Sequence, residues 1–133
     1  MCKTVTIRNW GSLLIVGAIL STLTCSCSKQ QKYHPGGPYY YKSWANYYQP
    51  YRPIGEIQID EAKELEGKGY AYYIAFFDGN GFISSFEKRY QGKISFKITY
   101  SYEEGVIRKE GVIDENGTAK TFFYDRDGNK IIP

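Results

Sequence analysis

The chain has no cysteine after residue 27, because its three cysteines, Cys2, Cys25 and Cys27, all lie at the beginning of the 133 residues. The remainder therefore contains no internal disulfide, no cysteine-based metal site and no catalytic thiol. It also has little histidine. The one histidine, His34, is too few for a metal site or a catalytic triad, and we interpret it as a solvated loop residue. We expect neither a metal nor a cofactor.

The sequence also lacks an apolar run long enough to cross a bilayer. Its longest such run, from Leu13 to Leu23, has about 11 residues, whereas a spanning helix needs roughly 20. Lys3 and Arg8 precede the run without any acid, and a short polar stretch follows it. This three-part pattern is typical of a secretory signal, so we predict that residues 1–26 are a cleaved signal peptide.

Cys27 follows the apolar run with Ser26 at position −1 and Thr24 at position −3, and this resembles the lipobox of bacterial lipoproteins. Cys25 is the alternative, with Thr24 at −1 and Thr22 at −3. The resemblance implies that the cysteine is acylated with chains such as palmitate, which would hold the protein at a membrane of the bacterial cell envelope, facing the periplasm or the surface. Ordinary signal cleavage with a soluble product is the other interpretation.

Acidic residues are absent from residues 28–53, which hold four bases, whereas residues 54–133 hold 11 bases and 14 acids. The part that we expect to fold is thus mildly acidic. A protein that binds nucleic acid needs a basic patch on its folded surface, so we expect no nucleic-acid partner.

Residues 27–53 are rich in tyrosine, proline and glycine, with seven tyrosines and four of the five prolines, and show neither a helical nor a strand period. We predict an irregular tether. Its aromatic residues have two interpretations. They pack on one face of the following sheet, or they form a binding surface for a glycan or for the headgroup region of a bilayer. These residues are Tyr39, Tyr40, Tyr41, Trp44, Tyr47, Tyr48 and Tyr51.

From residue 54 onward, turn residues recur evenly. Gly81, Gly92, Gly105, Gly117 and Gly128 are separated by 11, 13, 12 and 11 residues. Glycine with neighbouring Asn and Asp supplies the positive φ angles of tight hairpins. Residues 54–133 are therefore predicted to be a mainly β domain, a small antiparallel meander of about five or six strands.

Between these turns, residues 93–102 alternate between apolar and polar side chains, as a strand with one buried face does. Residues 70–77 are apolar on both faces, which predicts a central strand. Residues 106–113 and 118–124 are expected to be outer strands. Asp60 to Leu65 predicts one short helix with Asp60 as its N-cap, and with Ala62 and Leu65 on the sheet.

The segment from Tyr102 to Ile131 contains Tyr124-Asp125-Arg126-Asp127-Gly128 and, one turn earlier, Ile113-Asp114-Glu115-Asn116-Gly117. These motifs resemble the repeats of bacterial Rhs/YD-type proteins and the MORN-like repeats of envelope proteins. The resemblance implies a β-hairpin scaffold and no catalytic residue.

Two patterns of carboxylates suggest chemistry. Asp125, Asp127 and Asn129 alternate as in a calcium loop, but Gly128 stands two positions too early for an EF-hand, so we interpret them as a turn. A glycosidase-like pair would have to come from Glu103, Glu104, Asp114 or Glu115, all of which are turn residues.

With no catalytic constellation recognisable, the sequence favours a membrane-anchored envelope lipoprotein that acts as a binding or structural module. Its partners would be the membrane, through the N-terminal lipid, and an envelope protein or glycan. An inhibitor or immunity-type lipoprotein of the periplasm, and an enzyme that acts on envelope glycans, are the alternatives.

Overall fold

Antiparallel strands dominate the computed structural model, which describes residues 32–46 and 49–132. The strands form one open sheet in the order β2-β1-β3-β4-β5-β6-β7-β8. The predicted mainly β, antiparallel fold with one short helix is confirmed, although this part of the chain has eight strands instead of five or six. Cys25, Cys27 and the predicted signal peptide lie outside the described residues. The elements are β1 (Gly36–Ala45), β2 (Arg52–Ile57), α1 (Ile59–Gly67), β3 (Tyr72–Phe77), β4 (Ile83–Tyr90), β5 (Lys93–Glu103), β6 (Val106–Asp114), β7 (Ala119–Tyr124) and β8 (Lys130–Ile131).

The two hairpins in the middle of the meander turn on two residues each. Gln91 and Gly92 have φ angles of 49° and 72°, and Glu104 and Gly105 have angles of 52° and 78°. Positive φ at both central positions is the pattern of a type I′ turn, whose twist matches that of the flanking strands. These turns lie where the spacing of glycines predicts them.

Three other hairpins begin with an aspartate, at Asp78, Asp114 and Asp125. In each, the aspartate carbonyl accepts a hydrogen bond from the glycine three residues later, which has a φ angle between 79° and 82°. The aspartate Oδ1 accepts two more, at 2.9 Å, from the backbone N–H groups two and four residues later. The carboxylate thereby satisfies turn donors that the ladder leaves unpaired.

The prediction of an irregular tether was wrong for Gly36–Ala45 and for residues 52–53, which lie in the sheet. The predicted tether thus supplies β1, which pairs with β2 on one side and β3 on the other, and the first residues of β2. Its prolines occupy the places that a sheet tolerates. Pro38 lies where the β1–β3 register shifts between Gly36 and Tyr39, and Pro53 lies in the edge strand β2.

One face of the sheet, here called the core face, carries the buried cluster of the domain. Ring contacts extend across it, for example the stacked pair of Tyr73 and Phe86 at 5.5 Å. The alternation of inward and outward side chains along each strand produces this separation of faces. The buried cluster consists of Tyr41, Tyr73, Ala75, Phe77, Ile83, Phe86, Ile98, Tyr100, Ile107 and Tyr124.

Helix α1 contacts β1 and β3, and an ion pair between Lys42 and Glu61 joins it to β1. The predicted N-cap was wrong: Gln58, not Asp60, is the N-cap, and its carbonyl accepts the Ala62 N–H at 3.1 Å. The helix begins at Ile59, one residue after the end of β2, which is earlier than the sequence pattern predicted. Asp60 and Glu61 then lie in its first turn, where the helix dipole favours negative charge.

Candidate functional site

The aromatic residues singled out in the sequence occupy different environments. Tyr41 is buried in the core face, and Tyr39, Trp44 and Tyr51 are half-buried against it. Tyr40 is also half-buried, and its ring contacts that of Tyr72 at 6.3 Å. Two further members of the set, Tyr47 and Tyr48, lie outside the described residues.

Trp44 and Tyr51 lie on either side of the connection between β1 and β2, and both pack against the core face. The centroid of the Trp44 ring lies 4.5 Å from that of the Tyr51 ring and 5.4 Å from that of the Phe96 ring of β5. The Tyr51 backbone N–H donates a hydrogen bond of 3.3 Å to the hydroxyl of Tyr100. These contacts favour the interpretation in which the aromatic residues pack on the sheet and enlarge the small hydrophobic core of the domain.

A pocket of about 270 Å³ lies beside β1. At this pocket residues 32–35, here called the N-terminal segment, lie against β3 through the contact of Tyr33 with Phe77. The sequence pointed to only two of its residues, Tyr39 and Tyr41. Glu56 and Phe77 come from β2 and β3, and they join the site because both strands pair with β1. The pocket is lined by Lys32, Tyr33, His34, Tyr39, Tyr41, Glu56 and Phe77.

Tyr33 fixes one wall of this pocket. Its ring stacks on that of Phe77 with 4.4 Å between the centroids and 19° between the planes. Its backbone N–H donates a hydrogen bond of 2.9 Å to the carbonyl of Gly81, in the turn between β3 and β4. The approach is close, since a Cβ at residue 81 would lie 2.3 Å from the Tyr33 carbonyl oxygen. Gly81 thus allows the N-terminal segment to dock.

Only some of the polar groups that line the pocket form hydrogen bonds or ion pairs with other described residues. The Tyr39 hydroxyl donates to the Pro35 carbonyl at 3.2 Å, whereas the Tyr33 hydroxyl is buried without a hydrogen-bond partner. Burial and the nearby Glu56 carboxylate raise the pKa of Tyr41, so its phenol stays protonated. Glu56 makes no ion pair within 4 Å among the described residues. His34, predicted as a solvated loop residue, is exposed and lies at this pocket.

The face opposite the core is uncovered from β5 to β8, and we call this area the outer platform. Three of its large apolar side chains are exposed, with 43% of Ile113, 55% of Phe123 and 52% of Ile131 accessible to solvent. Its centre is flat, because Gly111 lies between Thr99 and Thr121 in the register. By register, the platform consists of Lys97, Thr99, Ser101, Lys109, Gly111, Ile113, Ala119, Thr121, Phe123 and Ile131.

The four carboxylates that the sequence offered for catalysis form two pairs of sequence neighbours, one at each end of β6. Glu103 and Glu104 lie at the β5–β6 turn, and Asp114 and Glu115 lie at the other end of β6. Nine residues of strand separate these ends by roughly 25 Å, whereas a glycosidase pair is about 5–9.5 Å apart. The pocket contains a single carboxylate, that of Glu56.

The calcium-like pattern at Asp125 is a turn, in which Oδ1 accepts the backbone N–H groups of Asp127 and Asn129. These backbone hydrogen bonds, chiefly that from Asn129, lower the pKa of Asp125. Within the described ranges, no group of three or more His, Cys, Asp or Glu side chains is placed to hold a metal ion.

Comparison with protein-family models, with curated proteins and with solved structures found no match for this chain. The fold and site thus define an open antiparallel β-sheet protein with a small aromatic pocket and an uncovered platform. Among residues 32–46 and 49–132, no helix has the length and apolar character that crossing a membrane requires.

Proposed function

We propose that the mature chain is a lipid-anchored module of the bacterial cell envelope that binds a protein partner on its outer platform. The observation that carries the proposal is the exposure of Ile113, Phe123 and Ile131 on one face of a regular sheet. Phe123 and Ile131 are neighbours in the register, and Ile113 lies further along the same face. Large apolar side chains that share one exposed face mark an interaction site more often than scattered exposed residues do.

The chemistry of the platform favours a partner surface that carries both apolar side chains and acidic groups. Lys97 and Lys109 belong to the platform, and neither forms an ion pair within 4 Å in the part of the chain that the structure describes. Complementary charges around an apolar contact raise the association rate and fix its orientation. An acidic protein surface is therefore the occupant we propose.

The position of the domain relative to the lipid supports a role at the membrane surface. Cys27 is the proposed lipid attachment site, and Tyr33 is already fixed to the sheet by its hydrogen bond to Gly81. The six residue steps between them can span at most about 22 Å. An anchored domain would accordingly stay next to the bilayer and meet partners within the envelope.

The platform can be tested by purifying the chain from envelope extracts with its bound proteins. We expect one stoichiometric acidic partner that is lost in Phe123→Ser and in Lys109→Glu. Ile54→Ser is the matched control, because Ile54 is 47% exposed but lies in β2, at the other edge of the sheet from the platform. Retention of the partner in both platform variants would overturn the proposed site.

The anchor can be tested by metabolic labelling with a fatty-acid probe. Labelling should be lost in Cys27→Ala and kept in Cys25→Ala. The reverse result would assign the lipid to Cys25. Absence of label from the wild-type chain would remove the anchor from the proposal and leave a secreted protein.

A second candidate, an inhibitor of a wall-degrading enzyme, is favoured by the same two lysines. Enzymes that hydrolyse glycans carry a pair of carboxylates in their cleft, and a basic platform is complementary to such a cleft. This candidate predicts that the wild-type chain slows hydrolysis of purified cell wall, and that Lys97→Glu together with Lys109→Glu abolishes the effect.

A further inference from the structure

The pocket beside β1 is separate from the outer platform, and the proposed function does not use it. We infer that this pocket binds a single neutral sugar ring, such as the terminal residue of an envelope glycan. The inference rests on the mixture of polar groups in the pocket, on its aromatic walls and size, and on a buried hydroxyl that has no hydrogen bond among the described residues.

The polar groups of the pocket suit a neutral ligand. Lys32 offers only donors and Glu56 only acceptors, whereas the hydroxyl of Tyr33 and the imidazole of His34 can do both. The pocket lining thus carries one group of each charge sign, the ammonium of Lys32 and the carboxylate of Glu56. A sugar hydroxyl both donates and accepts, and several of them on one ring match such a set.

The walls and volume suit one ring. Tyr33, Tyr39 and Phe77 form an aromatic lining, with the rings of Tyr39 and Phe77 5.7 Å apart. Aromatic rings offer an apolar surface to the C–H face of a sugar while phenol hydroxyls reach its polar edge. The volume of about 270 Å³ lies just below the roughly 300–1,000 Å³ of pockets for drug-sized ligands. A single pyranose fits this space better than an oligosaccharide.

The Tyr33 hydroxyl is the strongest sign of a ligand. It is buried without a hydrogen-bond partner, and an unsatisfied buried polar group costs about 1–3 kcal/mol. Phenylalanine would stack on Phe77 equally well and would avoid this cost. Among the described residues the hydroxyl has no hydrogen bond, although the Arg52 guanidinium is near enough to oppose the rise in the Tyr33 pKa that burial causes. It belongs to a residue that lines the pocket, and a ligand hydroxyl that reached it would satisfy it.

The test uses the full mature chain and a panel of free glucose, galactose and N-acetylglucosamine, with choline and acetate as charged probes. Saturation-transfer NMR detects binding, and calorimetric titration measures the dissociation constant. We expect at least one sugar to bind with a constant on the order of 1 mM, since a ligand of this size gains about 0.3 kcal/mol per heavy atom.

Two variants separate binding from folding. Tyr33→Phe should weaken sugar binding about tenfold while the melting temperature stays the same or rises, because the hydroxyl has no partner in the fold. Ser85→Ala is the matched control: its Oγ is also buried without a partner, but Ser85 lies outside the pocket. It should leave binding unchanged. Equal sugar binding by wild type and Tyr33→Phe would overturn the inference, and so would binding of choline or acetate alone or of no probe.

Discussion

The hydroxyl of Tyr124 donates a hydrogen bond of 2.7 Å to Oε2 of Glu110, and both side chains are buried in the core face. Lys130 of β8 places its Nζ 3.9 Å from the same carboxylate and 3.3 Å from the centre of the Phe122 ring. A carboxylate in an apolar core is stable only when donors satisfy it. Glu110 consequently ties the short strand β8 and the end of β7 to the core.

Tyr124→Phe should lower the free energy of unfolding by about 2 kcal/mol, because it removes a hydrogen bond to a buried charged group while keeping the ring. Urea denaturation followed by circular dichroism measures the change. Tyr90→Phe is the control, since Tyr90 is 41% exposed and its hydroxyl only accepts a bond from Gln91. Equal stability of the two variants would contradict a structural role for the Tyr124–Glu110 bond.

Stability should fall at alkaline pH. Burial raises the pKa of four tyrosines well above the ordinary value near 10, namely Tyr41, Tyr100, Tyr102 and Tyr124. Below about pH 10 these phenols are protonated in both states, but above it only the unfolded chain loses their protons. The free energy of unfolding then falls by about 1.4 kcal/mol per pH unit for each tyrosine, about 5.5 kcal/mol per pH unit for the four.

Urea denaturation at intervals from about pH 9 to about pH 11 measures this slope, and Tyr124→Phe should reduce it by about a quarter. A wild-type stability that is independent of pH over this range would show that the four phenols titrate alike in both states.

The aspartate turns should depend on the carboxylate oxygen more than on its charge. Asp78→Ala removes the acceptor of the Asn80 and Phe82 N–H groups and should cost about 1–2 kcal/mol. Asp78→Asn keeps an acceptor oxygen and should lose less than half as much. Melting temperatures compare the variants, and an equal loss in both would mean that charge is the important property.

Much of the fold could be predicted from the sequence because turns depend on local chemistry. The five glycines mark the five hairpins between β3 and β8, and each has a positive φ angle. The clean alternation of residues 93–102 corresponds to β5, and the apolar segment 70–77 contains β3, which lies inside the sheet. In residues 82–90 apolar and polar side chains alternate less clearly. A register shift in the pairing with β3 explains this: Phe76 pairs with Ser85 and Phe77 with Ile83, and the extra residue between them brings both Ile83 and Phe86 into the buried cluster.

The pocket could not be predicted because its residues meet only through distant pairing. Glu56 reaches the site because β2 pairs with β1 opposite Tyr41, and Phe77 reaches it because β3 pairs with β1 on the other side. The prolines made the segment of β1 resemble an irregular linker, because no local signal shows that a proline lies in a bulge or an edge strand. The burial of Glu110 could not be predicted for a similar reason, since Tyr124, which donates its hydrogen bond, lies in the next strand.

Gly81→Ala should release the N-terminal segment from the sheet, whereas Gly117→Ala should not. Both glycines occupy the same position of an aspartate turn, with φ angles of 79° and 80°. Alanine in this conformation costs about 1–2 kcal/mol at either site. A Cβ at residue 117 meets nothing within 4 Å, but one at residue 81 would lie 2.3 Å from the Tyr33 carbonyl oxygen.

Hydrogen exchange of the Tyr33 amide distinguishes these effects, because this amide donates to the Gly81 carbonyl. Its exchange should become faster in Gly81→Ala than in Gly117→Ala once the two variants are compared at equal global stability. Sugar binding, if the pocket holds a sugar, should be lost only in Gly81→Ala, since Tyr33 forms one wall of the pocket. Equal protection of the Tyr33 amide in both variants would mean that the segment adapts to the added methyl group without leaving the sheet.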